Sequence, residues 1–278
     1  IFTFTIFSIL YDFKIIDNYN QSIITISILA FFIIGFVDDK FEINAYIKLF
    51  IQILISLILI YLIQENFLIE KLIFKDLDLT ISIGKFSLIF TSLCLVIFLN
   101  AYNMYDGMDG QAAIYSIFIF FILLLKGVEY YFNLGLLCFA ILFLIMNLQK
   151  KTFLGDNGNF LLSIIISLLI IRGYQDNLIY VDEIFLIMIL PGVDMLRLFV
   201  LRSVQKKSPF TADRQHFHHY LLNRYDQKKS LVFLTILSIL PFIISKYIGT
   251  LFSILIFFVI YSLFILYLSK YSNENFTY

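Results

Sequence analysis

The sequence predicts an all-α polytopic membrane protein of about ten transmembrane helices, the first one partial, with a small extracytoplasmic hairpin. Three observations predict it. Of 278 residues, 61% are hydrophobic and only 14% charged, where soluble domains carry about 45–50% and about 25%. The mean hydropathy is +0.92. Apolar runs close to the roughly 20 residues that cross a bilayer recur along the whole length.

In chain order the spans fall at 1–11 (partial), 22–37, 46–63, 86–103, 112–126, 130–147, 158–172, 184–201, 230–246 and 249–269. The shorter ones are completed by tilt and by snorkelling lysines. With three prolines in the chain, most spans should run unbroken. Pro191, beside Gly192 in mid-span, predicts a kink or break. The stretch 64–85 alternates apolar positions at Leu77, Leu79, Ile81 and Ile83, which reads as the hairpin. Ile1 already lies in an apolar run with no charged segment before it, so the expectation is a start inside a membrane helix, not a signal peptide. No repeat or low-complexity linker divides the chain, and 1–278 is read as one integral-membrane domain.

Formal charge is zero, so no nucleic-acid partner is expected. Orientation follows from the basic residues. Arg202, Lys206, Lys207, Arg214, Arg224, Lys228 and Lys229 form the strongest basic cluster, which is read as cytoplasmic. Cys94 and Cys138 both fall in apolar runs, which argues against a disulfide scaffold or a cysteine metal site.

Four polar clusters interrupt the spans, and counting helices outward from the basic cluster puts all four on its face. They are Gly35-Phe36-Val37-Asp38-Asp39, then Asn100 to Gly110, then Phe153-Leu154-Gly155-Asp156-Asn157-Gly158, and last Ser208-Pro209-Phe210 with His216-Phe217-His218-His219. A charge near the hydrocarbon region costs about 2.5–3.5 kcal/mol on insertion scales, so such residues are functional candidates.

Asp38 and Asp39 can hold a hard cation or act as a base, or simply end a solvated helix. Asn100, Asn103 and Asp106 recur at i, i+3, i+6 and should share a helix face, with Asp109 one turn on. A helix cap would need one Asn and one Gly, not this many polar residues. Asp156 suits an N-cap and equally a metal-phosphate site at a helix start. Magnesium is held by one or two carboxylates plus substrate phosphates, and these five aspartates supply that chemistry if the loops converge. All three histidines of the chain lie within four residues beside basic side chains. Zinc is one reading of them; phosphate binding is the better.

Together the strings resemble the polyprenyl-phosphate N-acetylhexosamine-1-phosphate transferase family. Its signatures are a Gly-x-x-Asp-Asp end, an Asn-x-x-Asn-x-x-Asp-Gly-x-Asp-Gly segment, a Phe-Leu/Met-Gly-Asp loop and a His-x-His-His loop. All occur here in order and over nearly the whole chain, extended by Ser208-Pro209-Phe210-x-x-Asp213-Arg214-x-His216. The His-x-His-His form is similar to the branch that begins O-antigen, common-antigen or teichoic-acid synthesis. The resemblance implies a magnesium-dependent phosphoglycosyltransferase of the bacterial inner membrane, working at its cytoplasmic face, with manganese as a substitute ion. A polyprenyl (undecaprenyl) phosphate would attack a UDP-sugar and release UMP. The partners implied are those two substrates and the lipid bilayer; a homodimer is allowed.

By the same resemblance Asp156 leads as magnesium ligand, with Asp106 helping to shape the metal site. Asp38 and Asp39 would be metal partner or proton acceptor, and Asn103, Asp106 and Asp109 would hold the nucleotide. Asn147 and Phe153 would lie near the nucleoside, Phe153 as a stacking surface for uracil. His216, His218, His219 and Arg214 would contact the diphosphate or sugar, and Lys48 and Gln52 match a Lys-x-x-x-Gln pattern. Three departures stand out. The family's first Thr-Pro-x-x-Gly-Gly loop is absent, the expectation being that the chain starts after it. The segment from Asn147 to Phe153 is short, and Asn159 replaces a common serine.

Two other classes fit less well. A CDP-alcohol phosphotransferase needs an arginine after Asp-Gly-x-x and further aspartates on the next helix, and residues 111–125 hold neither. A cation- or proton-coupled transporter would place acids in mid-span; Asp194 is the chief one that is so placed.

Overall fold

The computed structural model describes residues 18–208 and 215–272. Its elements, in order, are α1 (Asn18–Phe41), α2 (Ala45–Leu62), short α3 (Gln64–Phe67), β1 (Lys71–Phe74), β2 (Leu79–Ser82), a 3-10 turn (Gly84–Phe86), α4 (Ser87–Tyr105), α5 (Gln111–Leu125), α6 (Tyr130–Leu148), α7 (Gly155–Gln175), α8 (Val181–Val204), short α9 (Phe217–Arg224), α10 (Gln227–Ile248) and α11 (Thr250–Ser272). Eight of the described helices are long and apolar enough to cross a membrane, and α5 is a shorter apolar one. Every expected span from 22–37 onward has its helix; the span at 1–11 lies outside the described residues.

The arrangement is built around α7. Its span is 89% buried, against 22% for α2 and for α11. A helix that is apolar all round must be enclosed by others, and Phe160–Ile171 is such a run: α1, α3, α4 and α5 pack against it, α1 most extensively. The two serines within that run turn inward, Ser163 Oγ donating to the Phe160 carbonyl (3.2 Å) and Ser167 Oγ to that of Ser163 (2.8 Å). No polar hydrogen is left facing the apolar neighbours.

Of the kink or break expected at Pro191, the break does not occur, for α8 runs through Pro191 as one helix. A proline removes the hydrogen bond to the carbonyl four residues back, here that of Ile187. The buried Tyr115 hydroxyl from α5 donates to that carbonyl at 3.0 Å. The helix is therefore continued with a side-chain donor from its neighbour. Helix α10 likewise runs through Pro241.

The hairpin forms as expected, β1 antiparallel to β2 with Lys71 opposite Ser82 and Phe74 opposite Leu79. Two strands alone are marginal, and this pair is pinned at its turn. The Asp182 carboxylate, at the start of α8, accepts the N–H groups of Lys75 (3.0 Å) and Asp76 (2.8 Å). Asp76 in turn accepts the Thr250 N–H at 2.8 Å. Beside them Glu183 takes Lys126 at 2.8 Å and Lys246 at 2.7 Å. This end of the bundle is tied by ion pairs; the polar clusters lie at the other.

Candidate functional site

The first and third clusters meet directly. Asp38 and Asp39 occupy the last turn of α1 and point to different neighbours. Asp38 accepts the Ile43 N–H at 2.8 Å and Lys48 Nζ at 2.5 Å, and Lys48 reaches Asp156 at 3.2 Å. Asp39 lies at the start of α7, where its two oxygens accept the N–H groups of Asp156 (2.8 Å) and Asn157 (3.2 Å). Asp156 is thus inside the first turn of α7 and not its N-cap; the capping oxygens come from another helix. A carboxylate at the C-terminal end of its own helix meets an unfavourable dipole, and the N-terminus of α7 offsets it. This crossing needs Gly35: a Cβ there would lie 2.4 Å from the Asn157 Cα.

The second cluster joins α7 one turn further along. Asn159 Nδ2 donates to Asn103 Oδ1 and to Asp106 Oδ2, each at 2.9 Å. Helix α4 ends at Tyr105 and Asp106 is its C-cap, its N–H still bonded to Tyr102 and Asn103 carbonyls. The expected shared face therefore holds through Asp106. Asp109 is not on it, because Asp106–Gly110 is a turn in which Gly110 adopts φ +89° to launch α5. Asn100 Nδ2 donates to Gln52 Oε1 at 2.8 Å, and Gln52 is fully buried. Lys48 and Gln52 are accordingly both tied into this network rather than snorkelling.

Asp106 is part-buried, and among the described residues no Lys or Arg pairs with it. Burial first, with Asp109 adding repulsion, raises its carboxyl to about 6 despite the Asn159 hydrogen bond. A desolvated carboxylate lacking a counter-ion suits a divalent cation. Among the described residues no three His, Cys, Asp or Glu side chains are gathered as a cage. The donor set fits an ion that takes one or two carboxylates and completes its shell from a substrate, as magnesium does, and not a closed zinc site.

The histidine cluster closes on the second. A Cβ on Gly107 would lie 2.0 Å from His218 Nε2, so the ring rests on the glycine. His216 stacks on His218 with centroids 5.3 Å apart. Burial, with His219 and His216 alongside, pushes the His218 imidazole down to about 3, so it is neutral at pH 7.

Asn147, expected near a nucleoside, is hydrogen-bonded to the backbone on two sides. It is buried, its Oδ1 accepts the Gly110 N–H at 2.5 Å and its Nδ2 donates to the Thr152 carbonyl at 2.8 Å. Each end of the amide thus has one protein partner. Phe153 is 83% exposed at the entrance to α7. Arg214 and Pro209 to Asp213 lie outside the described residues.

Two contributors were not singled out from sequence as site residues. Asn159 was visible as a departure, and its position three residues after Asp156 was the available signal. Asp194 was visible as a mid-span acid. It is paired with Arg197 at 2.7 Å and accepts the Tyr261 hydroxyl at 2.7 Å, which removes it as an unpaired relay group.

Residues 22–174 match the family model described as glycosyl transferase family 4. The undecaprenyl-phosphate alpha-N-acetylglucosaminyl 1-phosphate transferase of Yersinia pestis is 26% identical over 219 residues, 73% of this chain and 59% of the relative. The protein of the same description from Thermotoga maritima is 28% identical over 222 residues, covering 76% of this chain and 65% of the relative. That from Escherichia coli O157:H7 is 26% identical over 251 residues, covering 82% and 66%. The chain thus spans from 59% to 66% of the length of these curated relatives.

Proposed function

Since the chain belongs to glycosyl transferase family 4, we propose that the whole protein transfers a sugar 1-phosphate from a UDP-sugar to polyprenyl phosphate and releases UMP. One observation carries the reading: polar stretches far apart in sequence meet at one end of a membrane bundle, where Lys48 joins Asp38 to Asp156 and Asn159 joins Asn103 to Asp106. The relatives' descriptions name undecaprenyl phosphate and an N-acetylglucosaminyl 1-phosphate, which favours N-acetylglucosamine as the sugar and undecaprenyl phosphate as acceptor.

An oxygen of the lipid phosphate attacks the sugar-bound phosphorus. The new P–O bond forms as the bridging bond breaks, and its electron pair leaves on UMP. Both reactants are anions, so positioning and charge neutralisation supply the catalysis. A magnesium ion, or manganese in its place, held by Asp106 and Asp156 would neutralise the diphosphate oxygens. Lys48 adds positive charge between Asp38 and Asp156, and the α7 N-terminus adds its dipole. Asp38, committed to Lys48, orients that ammonium. Asp39, with both oxygens on the α7 amides, positions Asp156. Asn103 and Asp109 hold the nucleotide, and Phe153 offers an exposed ring to uracil. Neutral His218 hydrogen-bonds the diphosphate, with His216 and His219 beside it, and Arg214 would supply a further contact to the same group.

The acceptor chain has an apolar path. A cavity of about 260 Å³ between α4, α7 and α8 extends from Leu72 and Tyr174 at the hairpin end to Ala101, two residues before Asn103. Arg202 on α8, Lys206 and Lys207 just after it and Arg224 on α9 lie around the histidine loop, which supports a cytoplasmic active site in the bacterial inner membrane. The test is UMP release from a panel of UDP-sugars with polyprenyl phosphate and magnesium, using the full-length protein. Asp156→Asn and Asp106→Asn should each abolish turnover, and chelation of the metal should do the same. Full rates in both variants would overturn the assignment.

A further inference from the structure

We propose that Asp194 is a positioning residue for His216, holding its Nδ1 toward the protein so that Nε2 is the nitrogen offered to the anionic substrate. The inference rests on the transferase reading for its purpose, though not for its geometry. Asp194 is buried on α8 and gathers five donors from three directions. Arg197 Nε (3.2 Å) and an Arg197 terminal nitrogen (2.7 Å) reach it from one helical turn on. The Tyr261 hydroxyl comes from α11 at 2.7 Å. From the return of the histidine loop come His216 Nδ1 and the Phe217 N–H, both at 3.3 Å. Arg197 grips the same loop, donating to the Gln215 carbonyl at 2.6 Å.

The charge balance gives this array a direction. Arg197 already neutralises Asp194, so the imidazole need not be protonated to be held there. A neutral ring whose Nδ1–H donates to a carboxylate has its other nitrogen fixed as the one that exchanges protons. That Nε2 makes no hydrogen bond among the described residues. The His216 ring is stacked on His218, and His218 lies on Gly107 of the carboxylate turn. Asp194 therefore meets the histidine loop at His216 and at the Phe217 N–H, behind the ring that stacks on His218.

Two arms test this on the full-length protein in nanodiscs. In the first, ¹⁵N-histidine spectra are recorded without substrate. Wild type should show His216 protonated at Nδ1, and Asp194→Asn should lose that signature while Asp194→Glu largely restores it. A wild-type His216 protonated at Nε2 alone, or nitrogen shifts unmoved by Asp194→Asn, would overturn the proposal. In the second arm, Asp194→Asn, His216→Gln and the pair are compared. Asp194→Asn should lower kcat/KM by roughly 10- to 100-fold, the usual range for a partner that orients a functional histidine. The double variant should be no worse than His216→Gln alone, whereas multiplying losses would make Asp194 merely structural. If wild type transfers nothing from any UDP-sugar, the functional reading fails and the spectra still decide Asp194. If Asp194→Asn does not fold, the wild-type spectrum decides by itself.

Discussion

Replacing Asp106 by Asn should stabilise the metal-free protein while abolishing its proposed activity. In the fold this carboxyl is raised from 3.8 to about 6, chiefly by burial. A raised carboxyl binds its proton more tightly in the native state than in the unfolded chain. The associated stability is fully present below about pH 4 and is lost as pH rises through about 6. Going from 3.8 to about 6, at about 1.4 kcal/mol per tenfold change in proton affinity, gives at most about 3 kcal/mol. The side chain is only part-buried, so water screens some of this, and about 1–2 kcal/mol should remain. Asn keeps an acceptor for Asn159 and carries no charge, so the variant avoids that cost. The assay is thermal unfolding of purified protein in chelator, from pH 5 to 8. At pH 7.5 the variant should melt a few degrees above wild type, the gap narrowing toward pH 5. Added magnesium should raise wild type only. A variant less stable than wild type at pH 7.5, or a gap that ignores pH, would refute the reasoning.

Other substitutions probe the remaining contacts. Asp39→Ala removes the borrowed cap of α7 and should cost about 0.5–2 kcal/mol, read by thermal unfolding, with kcat falling because Asp156 is no longer held. Gly107→Ala puts a methyl group into the His218 ring; overpacking of this kind costs about 1–3 kcal/mol, and turnover should fall with it. Tyr115→Phe strips the donor from the Ile187 carbonyl and leaves it bare, at about 1–3 kcal/mol. Because the Tyr115 hydroxyl bonds a helix carbonyl and none of the carboxylates, that variant should melt earlier with an unchanged KM.

The spans were legible because hydrophobic length is a local property of sequence, and each from 22–37 onward became a helix. Alternation at Leu77 to Ile83 was enough to read the hairpin, though not that Asp182, a hundred residues later, pins its turn. The four clusters were legible as chemistry; their division of labour was not. Two adjacent aspartates point about 100° apart around a helix, so one meets Lys48 and the other the start of α7, and only the packing of α1 on α7 says which. Asn159 looked like a mild substitution because its partners come from α4. Pro191 predicted a kink or break because its remedy comes from the Tyr115 hydroxyl, 72 positions from the Ile187 carbonyl it bonds. Asn147 was legible as a family position near the nucleoside, though not that its amide braces Gly110 and Thr152.

The enclosed α7 acts as a measuring rod. Asp156 and Asn159 sit three residues apart on it, about 4.5 Å along the axis, and set the spacing between the Lys48 pair and the Asp106 turn. Inserting or deleting one residue early in this helix would swing everything beyond it by about 100° and break both connections together. Length variation among relatives should therefore be barred from this segment and collect in the loops above it, where new sugar preferences can arise without disturbing the carboxylate spacing.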